Sequence, residues 1–374
     1  MKIAIIGAKG YPIVYGGFDT FVKELSERLV KRDVTVTVYC HRAMFTERPK
    51  MVNGIHLVYT PAVETKILTQ LSHSFFSFIH ACFSDVDIIL AVNPANGPFG
   101  YLARLFGKKC LINMDGLEWK RPKWKGLGAL YFLWASRIAT KAFHRIINDS
   151  EEMRKVYLEL FQKDSRVIAY GANIRYSSNP GLIKKWGIEA EKYYLIVGRM
   201  IPDNNVDLII RGFSQSKTNK KLVIVGDAPF NDRYANQVKA MKELDDRLLF
   251  TGYVNDQDEL AELYHNCYMY VHGHEFGGTN PALLKALAYG TAILALDTRF
   301  NREVLQEGEF GLFFKKSEED FSERIAQYDK DENLVISMKE KSRNGLWEKY
   351  NWDVITSNYI DVFAQLTGGS TLSS

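Results

Sequence analysis

The chain has 374 residues, of which 46% are hydrophobic and 25% are charged, and this is more than one ordinary hydrophobic core accommodates. We therefore expect a globular protein of about two domains. The formal net charge of only +4 does not indicate a nucleic-acid-binding protein, so any basic surface that contacts a partner is a local feature.

The cysteines and the apolar segments indicate the compartment. Cys40, Cys82, Cys110 and Cys267 are far apart and form no CxxC pair, which argues against a disulfide framework or a zinc site and favours a reducing cytosol. The apolar run at the N-terminus is too short for a signal peptide, so we expect no export by this route. The most apolar stretches, 71–92 and 126–143, contain charged residues, and we expect neither to span a membrane.

Two groups of potential metal ligands are weak candidates. Asp85 and Asp87 have DxD spacing but open a strand at its amino end, away from the edge where ligands bind. His272 and His274 alternate at a strand end without a third ligand nearby in sequence. We therefore predict no metal and no cofactor.

In the first half of the chain, short β-branched runs alternate with helical patterns. The runs are KIAIIG, VTVTVYC, GIHLVYT, DIILAVN, KCLINMD and HRIIND, and the first helical pattern is FDTFVKELSERLVKR. This alternation predicts a parallel α/β sheet. The series ends with the helix EEMRKVYLELF, for which Ser150 is a suitable N-cap.

A segment rich in Gly, Ser, Asn and Pro, residues 171–192, has the composition of a connection between domains. A second series of strands follows: YYLIVGR, KLVIVGD, RLLFTGYV, CYMYVHGH and TAILALD. The helices between them include VDLIIRGF, DELAELYHN and PALLKALAY. Both halves are predicted to be doubly wound, with ligands beyond the carboxyl ends of the strands, in a cleft between the two domains.

The first strand-to-helix junction is rich in glycine. Gly7, Gly10, Gly16 and Gly17 permit close approach of the backbone, and the helix that follows offers free amides to an anion. The spacing matches neither GxGxxG nor a P-loop. A phosphate site and a purely structural turn both remain open.

The junction HGHEFGGTNPALLK contains more polar groups. Gly277 and Gly278 precede Thr279 and Asn280, and either of the last two can cap the next helix. The helix amides and these side chains suit a diphosphate, and Glu275 suits sugar hydroxyls. The alternative is a well-capped helix without a ligand.

Arg199 follows the strand YYLIVG and is therefore expected at the carboxyl edge of the second sheet. A guanidinium there can hold a leaving diphosphate through two parallel hydrogen bonds. A surface arginine at a strand end is the alternative. Asn204 and Asn205 lie in the N-cap region of the next helix.

The segment DGLEWKRPKWK, residues 115–125, follows the strand KCLINM. Its carboxylates, Asp115 and Glu118, are placed to orient a hydroxyl group. Its tryptophans alternate with basic residues, which suits anionic lipid headgroups. Stacking on single-stranded nucleic acid and a solvated loop beside a core helix are the alternatives.

These motifs together resemble the retaining glycosyltransferases of family 4, which have the two-domain GT-B fold, and within them a bacterial rhamnosyltransferase-like subgroup. The resemblance covers nearly the whole chain and rests on AKGYPIVYGGFDTF, DGLEWKR, NDSEEM, GRMIPDNNVDLII and HGHEFGGTNPALLKALAYG. It implies that residues 1–172 bind the acceptor and that residues 190–351 bind a nucleotide sugar. It also implies that a helix near 352–366 crosses back to the first domain.

The predicted site residues fall into three sets. Catalysis is assigned to Asp115, Arg199 and Glu275. The donor site is assigned to Gly16, Gly17, Arg199, Asn204, Asn205, Gly252, Tyr253, Val254, Glu275, Gly277, Gly278, Thr279, Asn280 and Lys285. The acceptor site is assigned to Asn96, Asp115, Glu118, Trp119, Lys120 and Arg121.

The sequence departs from the family pattern at two places. Asn204 or Asn205 stands where many members have a diphosphate-binding lysine, and Gly277 and Lys285 stand where members have a pair of glutamates, the second of which binds ribose. A deoxyribose lacks one hydroxyl that such a glutamate accepts from, so a dTDP-sugar is one explanation. In another, Lys285 supplies the missing charge to the phosphates.

The resemblance implies transfer of L-rhamnose from dTDP-L-rhamnose to a lipid-linked saccharide, in a cytoplasmic protein at the inner face of the membrane. A UDP- or GDP-sugar donor, a nucleotide-sugar epimerase and a non-catalytic nucleotide-sugar binder remain alternatives. A nicotinamide dehydrogenase is disfavoured because neither first strand is followed by GxGxxG.

Overall fold

The structure, a computed structural model, describes residues 1–13, 16–65, 68–122, 124–227, 232–346 and 349–368. Contacts divide the chain into two compact units. The first consists of Met1–Tyr170 and the segment that begins at Trp352, and the second is Gly171–Asn351. The chain therefore passes from the first unit to the second and back again.

A largely parallel sheet forms the centre of the first unit. Its strands are β1 (Lys2–Ile6), β2 (Thr35–His41), β3 (Met51–Val52), β4 (Ile55–Thr60), β5 (Ile88–Val92), β6 (Lys109–Met114), β7 (Arg145–Asn148) and β8 (Arg166–Val167). They lie in the order β3-β4-β2-β1-β5-β6-β7-β8, and β3 pairs antiparallel with β4. The side chains of the central strands β1, β5 and β6 are buried in near-continuous runs, as a parallel sheet covered on both faces requires.

Amphipathic helices connect these strands. They are α1 (Gly17–Val30), α2 (Leu68–Cys82), α3 (Phe99–Leu105), α4 (Leu127–Ala142) and α5 (Glu151–Phe161), with short 3-10 helices at Arg42–Met44, Pro94–Asn96 and Glu118–Lys120. The predicted N-cap of α5 is confirmed, because the Ser150 hydroxyl accepts a hydrogen bond of 3.1 Å from the Met153 amide. The two apolar stretches noted in the sequence form most of α2 and α4. Within the described ranges, no helix combines the length and apolar character needed to cross a membrane.

The second unit repeats this architecture. Its strands are β9 (Tyr193–Val197), β10 (Lys221–Val225), β11 (Leu248–Gly252), β12 (Met269–His272), β13 (Ile293–Leu296) and β14 (Leu312–Phe314). They are parallel and lie in the order β11-β10-β9-β12-β13-β14. This is the strand order of a doubly wound Rossmann-like sheet.

The helices of the second unit pack on this sheet. They are α6 (Val206–Gln215), α7 (Arg233–Ala240), α8 (Gln257–His265), α9 (Pro281–Tyr289), α10 (Arg299–Val304), α11 (Glu318–Tyr328) and α12 (Glu332–Ser342), with 3-10 helices at Pro180–Trp186, Pro202–Asn204, Met241–Leu244, Gln306–Gly308 and Arg343–Leu346. The core contains Tyr194, Ile209, Phe213, Leu222 and Val271, all 1% exposed or less. The predicted connection at 171–192 belongs to this unit and contains one of the 3-10 helices.

The chain returns to the first unit in α13 (Trp352–Thr367). Trp352 and Tyr359 of this helix contact the ring of Phe21 in α1, at centroid distances of 6.5 Å and 5.4 Å. The helix is thus part of the hydrophobic core of the first unit.

The four cysteines are free and buried. Burial raises the pKa of Cys40 to about 11 and the pKa of Cys110 and Cys267 to about 12. Burial also raises the pKa of Cys82. No pair of them forms a disulfide, in agreement with the sequence spacing.

The expectation of two Rossmann-like α/β domains with parallel sheets is confirmed. In each sheet the strand order reverses once, at β1 in the first unit and at β9 in the second. Ligands of open parallel sheets bind beyond the carboxyl ends of the strands at such a reversal. The loops that follow β9 and β12 are therefore the places to examine for a site in the second unit.

Candidate active site

The loops after β9 and β12 are joined by side-chain amides. Arg199 lies two residues beyond β9 and is exposed, and its carbonyl accepts a hydrogen bond of 2.7 Å from Asn204 Nδ2. The other end of this amide, Asn204 Oδ1, lies 2.8 Å from His274 Nδ1. One asparagine thus connects the predicted diphosphate-binding arginine to the loop that contains Glu275.

The backbones of the two loops also touch directly. The Glu275 amide donates to the Asp203 carbonyl at 3.0 Å, and Asn205 Nδ2 donates to the Gly273 carbonyl at 2.9 Å. A Cβ atom at Gly273 would lie 2.2 Å from the Asn204 carbonyl oxygen, so this approach requires glycine. The two asparagines therefore position these loops, a role that their place in the sequence did not indicate.

Glu275 is held by a residue that the sequence analysis did not select. Glu275 Oε2 lies 2.5 Å from Lys316 Nζ and 3.5 Å from Asn205 Nδ2. Lys316 follows β14 at the same edge of the sheet as Arg199. Lys316 lies two residues after β14, as Arg199 lies two residues after β9, but β14 was not among the strands predicted from the sequence.

The Gly-Gly-Thr-Asn-Pro sequence forms the predicted helix entry. Gly277 has a φ of +128°, which favours glycine, and Asn280 Oδ1 accepts a hydrogen bond of 2.9 Å from the Ala282 amide. The side chain of Asn280 is therefore engaged as the N-cap of α9. Thr279 is buried beside it.

The loop after β11 lies close to α9. Gly252 ends the strand with a φ of +70°, Tyr253 is 57% exposed, and Val254 is buried. Lys285 of α9 places its ammonium 3.5 Å from Gln257 Oε1, directly after this loop. The structure thus brings Lys285 close to the end of the loop that contains the predicted donor-site residues Gly252, Tyr253 and Val254.

The two histidines of this region form no metal site in the described part of the chain, where no group of three or more His, Cys, Asp or Glu side chains is arranged to hold a metal ion. Burial lowers the pKa of His272 well below its usual value, and His272 Nδ1 lies 3.1 Å from the Tyr270 hydroxyl. His272 is therefore neutral at physiological pH. Asp85 and Asp87 instead bind Lys2, through its ammonium and its amide.

In the first unit, Asp115 follows β6 and lies beside a second carboxyl. Its side chain lies beside the Tyr170 hydroxyl and the carboxyl of Asp149, which follows β7 and is fully buried. Burial raises the pKa of Asp115 to about 6, and the Arg121 guanidinium opposes this rise. Asp115, which the sequence analysis predicted to orient the acceptor, thus lies beside Asp149, which the sequence analysis did not identify.

A chain of hydrogen bonds extends from this pair into the core. The Tyr170 hydroxyl donates to Asn113 Oδ1 at 3.2 Å, and Asn113 Nδ2 donates to the Tyr359 hydroxyl at 2.8 Å. Tyr170 stacks on Phe21 at a centroid distance of 5.1 Å. The surroundings of Asp115 are therefore fixed by α13 and by the last residue before the chain leaves the unit.

The rest of the 115–125 segment packs on its own unit. Glu118 is buried and accepts hydrogen bonds from the Arg121 guanidinium and, at 2.7 Å, from Trp124 Nε1. The ring of Trp119 contacts Tyr157 at a centroid distance of 6.1 Å. Among the predicted acceptor residues of this segment, Lys120 is the one whose side chain is exposed. Lys123, another basic residue of the segment, lies outside the described residues.

The predicted site residues Asn96, Gly16 and Gly17 lie in segments whose polar groups are hydrogen-bonded to other groups of the protein. Asn96 is fully buried and donates to the Val92 carbonyl at 2.6 Å, which places it beneath the surface of the sheet edge. Gly16 and Gly17 begin α1, where Asp19 accepts hydrogen bonds from the Gly16 amide at 3.0 Å and the Lys9 amide at 3.1 Å. The carboxylate of Asp19 thus provides a negative charge at this helix start.

Two family models together match most of the chain. The model described as "Glycosyltransferase Family 4" matches residues 15–175, and the model described as "Glycosyl transferases group 1" matches residues 179–345. The chain is a glycosyltransferase of the group 1, family 4-like class.

Two relatives and one solved structure show how far this likeness extends. The chain is 25% identical over 400 residues to an uncharacterized glycosyltransferase of Methanocaldococcus jannaschii. The matched region covers 98% of this chain and 99% of the relative. The chain is 26% identical over 155 residues, 41% of each chain, to the N-acetylgalactosamine-N,N'-diacetylbacillosaminyl-diphospho-undecaprenol 4-alpha-N-acetylgalactosaminyltransferase of Campylobacter jejuni. The sucrose-phosphate synthase of Thermosynechococcus elongatus has a TM-score of 0.84 at 17% identity and covers 99% of this chain and 100% of its own. The last comparison shows the GT-B fold.

The first unit of the glycosyltransferase also exposes an apolar and basic surface, which we call the α2–α4 face. It is formed by large exposed apolar side chains on or next to three helices: Phe83, Tyr101, Leu105, Phe106, Leu127, Leu130 and Trp134. The rings of Phe83 and Phe106 are in contact at 4.9 Å, and Arg104 Nη1 donates to the Lys141 carbonyl at 3.0 Å, so α2, α3 and α4 are neighbours.

Charge is concentrated in the same segment. Residues 99–145 contain ten lysines and arginines and two acidic residues, although the whole chain has a net charge of +4. Exposed aromatic and aliphatic groups beside basic residues are typical of proteins that bind the interface of an anionic membrane. The exposed apolar side chains of this segment thus lie mainly on the neighbouring helices, whereas four of its ten cations belong to residues 115–125.

Proposed function

We propose that this glycosyltransferase transfers L-rhamnose from dTDP-L-rhamnose to a hydroxyl of a lipid-linked saccharide, with retention at the anomeric carbon, during the synthesis of a bacterial surface polysaccharide. The observation that carries this proposal is the pair of hydrogen-bonded loops after β9 and β12, one containing Arg199 and the other Glu275, at the reversal of the second sheet. This is where an open parallel sheet binds a nucleotide.

Arg199 and α9 supply the positive electrostatic environment that a departing diphosphate requires. The exposed guanidinium can form two parallel hydrogen bonds to phosphate oxygens. The backbone amides at the start of α9 lie at the positive end of the helix dipole, which favours a negatively charged group there. The leaving diphosphate takes the proton of the acceptor hydroxyl, so this step needs no separate base. Glu275 then holds hydroxyls of the transferred sugar.

Asp115 orients the acceptor in this proposal. Its carboxyl is only partly exposed and is fixed by Tyr170 and Asp149, so it presents a hydrogen-bond acceptor in a defined position. Lys120 is the exposed cation of the same segment and is suited to an anionic part of the acceptor.

Lys285 supports the choice of a deoxyribose donor. The family resemblance places a ribose-binding glutamate at this position, and an ammonium cannot accept a hydrogen bond from a hydroxyl. A donor that lacks the 2′-hydroxyl loses least from this replacement. The proximity of Lys285 to the loop after β11 is consistent with a contact on the nucleoside side.

The α2–α4 face supports a lipid-linked acceptor and peripheral contact with the inner face of the cytoplasmic membrane. Its apolar side chains can enter the headgroup region while its basic residues pair with anionic lipids. The Campylobacter jejuni relative carries a lipid diphosphate in its name, which agrees with an acceptor of this class.

A screen of nucleotide sugars with a lipid-linked disaccharide, read by mass spectrometry, tests the function. We expect the acceptor to gain the mass of one deoxyhexose with dTDP-L-rhamnose. A gain with a UDP- or GDP-sugar instead would refute the proposed donor. Conversion of the donor without an acceptor would indicate an epimerase, and binding without turnover would indicate a non-catalytic binder.

Calorimetry separates the two explanations of Lys285. We expect dTDP to bind more tightly than UDP and GDP. Preference for UDP or GDP would overturn the deoxyribose argument while leaving glycosyl transfer itself intact.

A further inference from the structure

The donor site contains a cation that neither the motifs nor the family resemblance assigned. A nucleoside diphosphate brings about two negative charges, and the second cation of the family pattern is replaced by Asn204 or Asn205. Lys316 lies at the carboxyl end of β14, two strands away from β12, and its ammonium reaches Glu275 at the reversal of the sheet. The missing positive charge is thus present on a different strand.

The contacts of Glu275 show how Lys316 is held. Within the described residues, two groups donate hydrogen bonds to the Glu275 carboxylate. They are the Lys316 ammonium and the Asn205 amide, and both donate to the same oxygen, Oε2. The backbone of Glu275 is bound to the loop after β9. The ion pair therefore places Lys316 Nζ beside a loop that is hydrogen-bonded to the loop containing Arg199.

The pair is also exposed enough to exchange partners. The Lys316 side chain is 52% exposed and that of Glu275 is 23% exposed. Ion pairs with this exposure contribute about 0 to 1 kcal/mol, since water and salt compete with them. A diphosphate with more charge and more acceptor oxygens than a carboxylate competes well for the ammonium.

We propose that Lys316 is the second cation of the donor site and that Glu275 holds it until a nucleoside diphosphate takes the place of the carboxylate. This inference rests on the proposed function. In the exchange, the ammonium of Lys316 moves from Glu275 Oε2 to a phosphate oxygen. Glu275 Oε2 then becomes available to hydroxyls of the sugar, so binding of the diphosphate prepares the site for the sugar.

Calorimetry with whichever of dTDP, UDP or GDP binds the wild type most tightly tests the role of Lys316. We expect Lys316→Met to weaken binding of this diphosphate about ten-fold, since it removes one charge-assisted hydrogen bond. Binding of the corresponding nucleoside monophosphate changes less. Lys315→Met is the matched control, because Lys315 is the adjacent, exposed lysine, and it leaves both affinities unchanged.

Glu275→Gln gives the opposite sign. Removing the carboxylate charge frees Lys316, so the diphosphate binds about three-fold more tightly, and the gain disappears in the double variant Glu275→Gln/Lys316→Met. A merely structural ion pair predicts instead that both single variants weaken binding.

Two results would overturn the inference: diphosphate affinity unchanged in Lys316→Met, or weakened in Glu275→Gln. A wild-type protein that binds none of the three diphosphates would refute the proposed function itself. The two failures are therefore distinguishable.

Discussion

Asp115 and Asp149 place two carboxyls in contact at the carboxyl edge of the first sheet. Burial makes the charged form of Asp115 costly, so its pKa rises to about 6 from the value of 3.8 usual for an aspartate. Below pH 3.8 the group is protonated whether or not the protein is folded. Between about pH 4 and pH 6 the folded protein retains a proton that the unfolded chain has released, so stability from this group falls as the pH rises.

Asp115→Asn removes this dependence. We expect the unfolding free energy of the variant, relative to the wild type, to increase by about 2 to 3 kcal/mol between pH 4 and pH 6.5 and to stay level above that. Urea unfolding at a series of pH values measures it. A difference that does not vary with pH would contradict the raised pKa.

Arg199 is the residue on which transfer depends most directly. We expect Arg199→Ala to lower kcat/KM about 100-fold, because the guanidinium stabilises charge that develops on the leaving diphosphate. Because this side chain is exposed, we expect the melting temperature to stay close to that of the wild type. Arg48→Ala, at an exposed arginine of the first unit, is the control and keeps full activity.

At this scale the sequence predicted a cap at Thr279 or Asn280, of which the structure uses Asn280, and it predicted that Arg199 and Glu275 follow strands, because these features depend on local order along the chain. It did not predict Asp149 or Lys316, since each matters through a partner on another strand. The tryptophans of 115–125 show the same limit, because the contact of the Trp119 ring with Tyr157 depends on α5.

Among the helices, α8 holds residues 177–179 of the segment that follows the first unit through hydrogen bonds to one of its carboxylates. Glu262 of α8 accepts hydrogen bonds from the Ser177 hydroxyl at 2.7 Å and from the amides of Ser178 and Asn179 at 2.7 Å and 2.8 Å. Burial raises the pKa of Glu262, but these hydrogen bonds outweigh that effect and the net pKa is lowered. The carboxylate therefore stabilises the fold above pH 4.5, and this contribution is lost as the pH falls through the lowered pKa.

Glu262→Gln replaces one accepting oxygen by a donor. We expect it to destabilise the second unit by about 2 kcal/mol at pH 7, by leaving buried groups without an acceptor. The destabilisation shrinks as the pH is lowered below 4.5. Thermal unfolding measures both, and Glu259→Gln, on the same helix but in a more exposed ion pair with Lys185, is the control with little effect.

Elements with a single apolar stripe or a buried β-branched run were predictable. The helix α1 and the strands β1 and β9 are examples. The stretch that forms α2 was identified only as apolar, because its phenylalanines lie on several sides of the helix, and some of them, such as Phe75 and Phe76, remain exposed. Whether such a run is a strand, a buried helix or a surface helix depends on its neighbours, which the local pattern does not contain.

For the whole molecule, the net charge is only +4, but residues 99–145 form a strongly basic segment. We expect binding to vesicles that contain anionic lipids, and we expect this binding to weaken about ten-fold between 50 mM and 500 mM salt. Leu130→Glu places a negative charge on the α2–α4 face and reduces binding further.

Ile336→Glu is the matched control. Ile336 is 55% exposed and Leu130 is 60% exposed, but Ile336 lies on α12 in the second unit. Vesicle sedimentation measures both variants. Equal binding of Leu130→Glu and the wild type would show that this face does not contact the membrane.

The division into two Rossmann-like units was predictable because each half repeats the same alternation of strands and helices. The end of the first segment was predicted from the Gly-, Ser-, Asn- and Pro-rich stretch at 171–192, and the return of the last helix was predicted from the family resemblance. The identity of the donor and of the acceptor depends instead on a few side chains such as Lys285, whose effect is a difference in affinity between competing ligands.

The buried cysteines make the two units separately observable. Three of them lie in the first unit, and Cys267 is the sole cysteine of the second. Their raised pKa values keep them as unreactive thiols at neutral pH, so alkylating reagents reach them when the surrounding unit opens. Pulsed alkylation followed by peptide mass spectrometry therefore reports, in one sample, whether a nucleotide protects one unit or both from opening.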